Sequence, residues 1–139
     1  MKIRNIMMAL VAIAALLFSG CSKNVDLAGT HWNGVYVSIS EQQGEVYTFY
    51  ITYDMYFTDA TNGYFDIQVD YSIGSGSPIE YGSANMPFTW TFDGESEGQI
   101  KAHIANTGQE IIDVFQYDKE TGEITLYDGG AVVKLTQVK

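Results

Sequence analysis

Tyr47-Thr48-Phe49-Tyr50-Ile51-Thr52-Tyr53-Asp54-Met55-Tyr56-Phe57-Thr58 alternates without a break. Tyr47, Phe49, Ile51, Tyr53, Met55 and Phe57 fall on one parity, and Thr48, Tyr50, Thr52, Asp54, Tyr56 and Thr58 on the other. A period of two is that of a strand, because successive side chains leave an extended backbone on opposite sides. The turn-forming Asp59-Ala60-Thr61-Asn62-Gly63 follows, and the alternation resumes as Phe65, Ile67, Val69, Tyr71 and Ile73 against Tyr64, Asp66, Gln68, Asp70 and Ser72. Residues 45–73 therefore read as a β-hairpin. A loop over 61–63 or over 59–63 sets Phe57 opposite Ile67 or Phe65 and keeps the apolar faces together, whereas a tight Asn62-Gly63 turn mixes a dry face with a wet one. The first strand would measure about 46 Å at roughly 3.3 Å per residue, so it is expected to coil strongly, as a small barrel requires, or to break near Asp54.

Strands are expected on both sides of this hairpin. Leu27-Ala28-Gly29-Thr30-His31-Trp32 leads into one that runs to about Ser40, with Val35, Val37 and Ile39 on one face and Trp32 and Tyr36 on the other. Glu41-Gln42-Gln43-Gly44 turns it into the hairpin. Residues 74–87, opening Gly74-Ser75-Gly76-Ser77-Pro78, show no pattern and read as a long loop, whose Ile79 and Tyr81 are candidates for a lid over a barrel mouth. Phe88, Trp90 and Phe92, then Ile100, Ala102 and Ile104, supply further short strands. In 111–117 apolar residues occupy both parities, which leaves the inward face ambiguous. Two last strands fall at 124–127 and 131–138. Seven or eight strands with polar turns and no convincing helix read as an all-β antiparallel barrel or sandwich.

Ahead of this domain, Lys2 and Arg4 precede the apolar run 6–18, a secretory signal too short to span a membrane as a helix. Leu17-Phe18-Ser19-Gly20-Cys21 resembles the lipobox of bacterial lipoproteins, which implies cleavage before Cys21 and a lipid on that cysteine. Residues 1–20 are then the signal peptide, 21–28 the lipidated residue and a tether, and 29–139 the folded domain. Ser22, rather than Asp, after the cysteine implies the outer membrane of the cell envelope. The tether over 22–28 reaches at most about 25 Å. Cys21 is the only cysteine, so no disulfide is expected within the domain. Without its first twenty residues the chain carries five lysines, no arginine and seventeen acids, a formal charge of −12. That charge argues against nucleic acid as a partner and against electrostatic adsorption to anionic lipid.

Four short segments carry a further resemblance: Leu27-x-Gly29-Thr30-x-Trp32, Tyr56-Phe57-Thr58-Asp59 followed by Gly63-Tyr64, Phe88-Thr89-Trp90-Thr91-Phe92-Asp93-Gly94, and Ile124-Thr125-Leu126-x-Asp128-Gly129. With these the chain resembles the small lipocalin-like lipoproteins of Bacteroidetes. The resemblance implies an up-and-down barrel and ligand binding, and brings no catalytic residues.

Residues that could carry chemistry are few. Asp93, Glu95, Glu97 and Gly98 imitate the start of a calcium loop, but the twelfth position is Ile104, so an acidic turn is expected instead. His31 and His103 fall on different strands without metal-ligand spacing or a nucleophile partner. No phosphate loop or nucleophile elbow occurs, and neither enzymatic activity nor a cofactor or metal is expected. Tyr50, Tyr56 and Tyr64 lie on the polar hairpin face beside Asp54, Asp66 and Gln68, a candidate contact for a sugar or a partner protein. Two functional readings follow. The one expected, following the family resemblance, is a binding module taking a small apolar or amphipathic ligand at the barrel mouth; the alternative is an interaction protein with a filled barrel, addressing another envelope protein. Tyr47, Phe49, Tyr53, Phe57, Phe65, Tyr71, Phe88, Trp90 and Phe92 would occupy much of a small barrel. A cavity favours the first reading, a filled core with an exposed aromatic patch the second.

Overall fold

The computed structural model describes residues 25–104 and 107–139. The expected signal peptide, Cys21 and the first part of the tether lie outside the described residues. Eight strands follow in chain order: β1 (Thr30–Gln42), β2 (Glu45–Phe57), β3 (Asn62–Ile73), β4 (Ile79–Phe92), β5 (Glu97–His103), β6 (Glu110–Asp118), β7 (Glu123–Asp128) and β8 (Ala131–Val138). Each pairs antiparallel with the next, and β8 returns to β1, so the sheet closes into an up-and-down barrel.

The central hairpin keeps the parity expected of it but not the register. Phe57 stands opposite Gly63, Met55 opposite Phe65 and Tyr53 opposite Ile67, with residues 59–61 as the loop. Asp59 decides this. Its carboxylate accepts the backbone N–H of Thr61 at 2.9 Å and of Asn62 at 2.8 Å, folding the chain back one step earlier than Gly63 alone would. The apolar faces meet in either register because both shifts are even. β2 runs unbroken through Asp54, paired along its whole length with β1, so the chain coils where a break was the other expectation.

Residues 74–87 are the larger departure. Only 74–78 form a turn; from Ile79 the chain is strand, paired with β3. A register shift at Val69 and Asp70 leaves Tyr81 as the extra residue of a bulge. The bulge interrupts the period, and this part of β4 is exposed on most positions, so no alternation marks it. In β6 the inward set is Ile111, Asp113, Phe115 and Tyr117. A buried aspartate among them is what hid the face.

The strands are unequal, and the inequality shapes the molecule. β1 to β4 have 12 to 14 residues each, β5 to β8 only 6 to 9. β4 meets β5 only from Phe88 to Phe92, and β1 meets β8 only at His31, Trp32 and Asn33. At Gly34 the ladder pairing has ended but β8 still crosses closely: a Cβ there would lie 2.3 Å from the Lys134 carbonyl oxygen, so only glycine fits. Beyond this level β1 to β4 continue as a curved four-stranded wall.

Below it the bore is solid. Trp32, Met55, Phe57, Phe65, Phe88, Ile100, Phe115, Ile124, Leu126, Val133 and Leu135 are all buried in one cluster. Leu27 plugs the end where the chain enters, and the Val25 N–H donates to the Gly94 carbonyl at 3.0 Å. The segment expected as tether is thus bound to the barrel from Val25 onward. Trp90 seals the same end by donating its indole N–H to the Asp59 and Asn62 carbonyls at 3.0 and 3.1 Å.

Candidate functional site

The inner face of the wall carries the most distinctive surface. Tyr47 and Phe49 of β2 stand opposite Ile73 and Tyr71 of β3, which puts them on the face that lower down becomes the core. Ring centroids lie 6.5 Å apart for Tyr47 and Tyr71, 6.1 Å for Phe49 and Tyr71, 6.3 Å for Phe49 and Tyr81, and 6.0 Å for Tyr71 and Tyr81. The bulge turns Tyr81 onto this face. Of the nine aromatic residues expected to crowd the barrel, Tyr53, Phe57, Phe65, Phe88 and Trp90 are buried and Phe92 is packed against them, whereas Tyr47, Phe49 and Tyr71 remain half-exposed above. Ile79 and Tyr81, expected on a long loop as a lid over the barrel mouth, belong to β4 and are 53% and 71% exposed. They extend the wall as part of a paired strand and do not form a loop over it.

Where this wall meets the short strands there is a small polar cluster. Asp113 of β6 is buried beside the Asp128 carboxyl, and the Tyr53 hydroxyl donates to Asp128 Oδ2 at 2.9 Å. Burial, reinforced by the Asp128 carboxylate, pushes the Asp113 carboxyl up to about 6. Burial and then Asp128 raise the Tyr53 hydroxyl well above its ordinary value, so it stays a donor. The sequence offered no sign of this trio, since Asp113 and Asp128 are two acids among seventeen and come together only through β6 and β7.

On the outer face the structure joins Tyr56 and Tyr64 and leaves Tyr50 apart. Tyr56 and Tyr64 are directly opposed, with centroids at 4.5 Å and planes 16° apart, and His31 stacks on the other side of Tyr56 at 4.0 Å and 11°. Both faces of Tyr56 and one of Tyr64 are therefore taken, and the ladder presents ring edges outward. A sugar stacks on a ring face, so this geometry does not suit that use of Tyr56. His31 Nε2 lies 2.7 Å from Asp54 Oδ1, and Asn33 Nδ2 donates to the same oxygen at 3.0 Å. Tyr50 sits between Val37 and Asp70 and, among the described residues, belongs to no ring pair.

The turn at Asp93 is explained by its own backbone. Asp93 Oδ1 accepts the N–H groups of Glu95, Ser96 and Glu97 at 2.8, 2.8 and 3.1 Å, and these donors hold its carboxyl below the usual range. Among the described residues no three His, Cys, Asp or Glu side chains converge as a metal site would require. Open clefts of about 530 and 580 Å³ lie at the plugged end, beside Glu95 to Glu97 and beside Val25 to Leu27, far from the aromatic wall. Comparison of the chain with models of protein families, with characterised proteins and with solved structures produces no match in any of the three.

Proposed function

We propose that this chain is a lipid-anchored, non-enzymatic interaction module of the cell envelope, and that it docks a partner protein on the concave face formed by Tyr47, Phe49, Tyr71 and Tyr81. The observation that carries this reading is the placement of four linked, partly exposed rings above a bore filled from below. Tyrosine buries a large area at small conformational cost and has a hydroxyl for the wet rim, which suits it to protein contact. The lipocalin-like resemblance implies a guest inside the barrel, but the side chains of this one occupy that space. Orientation supports the same view. From Cys21, proposed as the lipidated residue, four residues reach about 14 Å to Val25, which is fastened at the plugged end. The membrane then lies at that end and the rings point away from it, toward other envelope components.

The test has two arms. Native mass spectrometry of residues 22–139 purified from the host, with organic extraction, is expected to give an apo mass and no uptake from a lipid and heme panel. Tyr71→Ser with Tyr81→Ser is expected to reduce co-purified partner at least tenfold while stability stays within about 1 kcal/mol of the parent, both side chains being partly exposed. A small molecule of reproducible mass, or partner recovery untouched by the double variant, would overturn the proposal.

A further inference from the structure

Among the described residues the wall has two unpaired edges, and they differ. On β4 the stretch 79–87 has no strand paired to it on the β5 side among the described residues, but it carries a bulge at Tyr81 and ends in Pro87, with Pro78 just before it. Bulges and prolines are the usual means of blunting an exposed edge. On β1 the stretch 35–42 likewise has no strand paired to it on the β8 side among the described residues, although β8 still lies against Gly34, and it is regular from end to end in its pairing with β2. Its sequence, Val35-Tyr36-Val37-Ser38-Ile39-Ser40, has no charge, no proline and no bulge. Val35, Val37 and Ile39 are 52%, 48% and 70% exposed on its outer face. Such an edge offers backbone donors and acceptors in a row beside apolar side chains, the requirement for adding a strand.

We infer that the β1 edge over 35–42 receives an extended strand of a partner protein, one with apolar side chains at alternate positions and Lys or Arg where it passes Glu41 and Glu45. The inference rests on the reading of the wall as a protein-docking surface and names the class of partner. Charge selects that class. Residues 30–92 contain Glu41, Glu45, Asp54, Asp59, Asp66, Asp70 and Glu80 and not one lysine or arginine. A partner of the opposite sign is steered to this surface, and a second copy of the chain is repelled. Geometry also disfavours a second copy: antiparallel pairing of β1 with its own twin points the two plugged ends in opposite directions, so both lipids could not enter one membrane. Among the described residues the two ends of the chain lie away from this edge, Val25 and Val138 both being at the plugged end.

Photo-crosslinking residues placed singly at Val37, Ile39, Tyr81 and, as a control on the outer face of β8, Val132 test this in the intact envelope, with the crosslinked segment sequenced by mass spectrometry. The expected result is one adduct protein at Val37 and Ile39, joined through an alternating segment with a basic residue beside it, and at least tenfold loss of the Val37 adduct on adding Ile39→Lys without a change in Tm. No adduct above the Val132 control, an adduct with a second copy, or one with glycan or lipid overturns the inference. A protein adduct at Tyr81 with silence at Val37 and Ile39 overturns the edge while leaving the aromatic docking face standing. Silence at all three positions removes both.

Discussion

Asp113 shows most directly what burial does to a single side chain here. Its carboxyl is raised to about 6 in the folded protein against an ordinary value of 3.8, so the fold binds that proton more tightly than the unfolded chain does. The resulting penalty is absent below pH 3.8, grows as pH rises from there to about 6, and is complete above. Asp113→Asn keeps the size and a hydrogen-bonding group but removes the charge. Urea unfolding between pH 4.5 and 7.5 is expected to show the parent losing about 1–3 kcal/mol more than the variant across that range. Parallel curves for the two proteins would show that Asp113 ionises in the fold as it does in water. Gly98 is a residue of the opposite kind, without chemistry but indispensable: a Cβ would fall 2.1 Å from the Phe115 ring.

At the scale of elements, turn chemistry and the entry segment set the architecture. The β1–β2 connection is the tight pair Gln43 and Gly44, both at positive φ, which matches the twist of the two long strands it joins. Asp59 and Asp93 organise the turns at the plugged end through their own backbone donors, and that explains acids there without any metal. The segment before β1 acts as a stopper. Leu27→Ala is expected to cost about 2–5 kcal/mol by denaturant titration, as for other fully buried leucines, with m unchanged. A loss below 1 kcal/mol would mean that the plug is not part of the cooperative core.

For the molecule as a whole, unequal strand length is the decisive feature, because it converts part of a barrel into an open wall with edges. In an antiparallel strand with one neighbour, alternate amides are hydrogen-bonded and the rest face solvent. Hydrogen exchange along 35–42 and 79–87 is therefore expected to alternate residue by residue, by tenfold or more, while β7, paired on both sides, shows protection throughout. Uniform protection over 35–42 would mean that another segment covers β1. The same feature explains the separation of the rings: identical side chains on one strand face are core below Tyr53 and surface above it.

The all-β class, the turn positions and the two faces of the central hairpin were legible because alternation and turn preference are local properties of a backbone. So was the acidity of the chain. The register 57–63 was not, since three loop placements, over 61–63, 59–63 and 59–61, all join apolar face to apolar face and the Asp59 carboxylate chose among them. Nor was β4 from Ile79 onward, where pairing with β3 holds an irregular, exposed and bulged stretch that has no pattern of its own. The fate of each aromatic ring also lay beyond reach: Phe49 and Phe57 look alike in the chain, and one is buried only because β5 to β8 extend to its level and no further. Closure, burial and the proximity of Asp113 to Asp128 come from contacts between segments far apart in sequence, which no local period encodes.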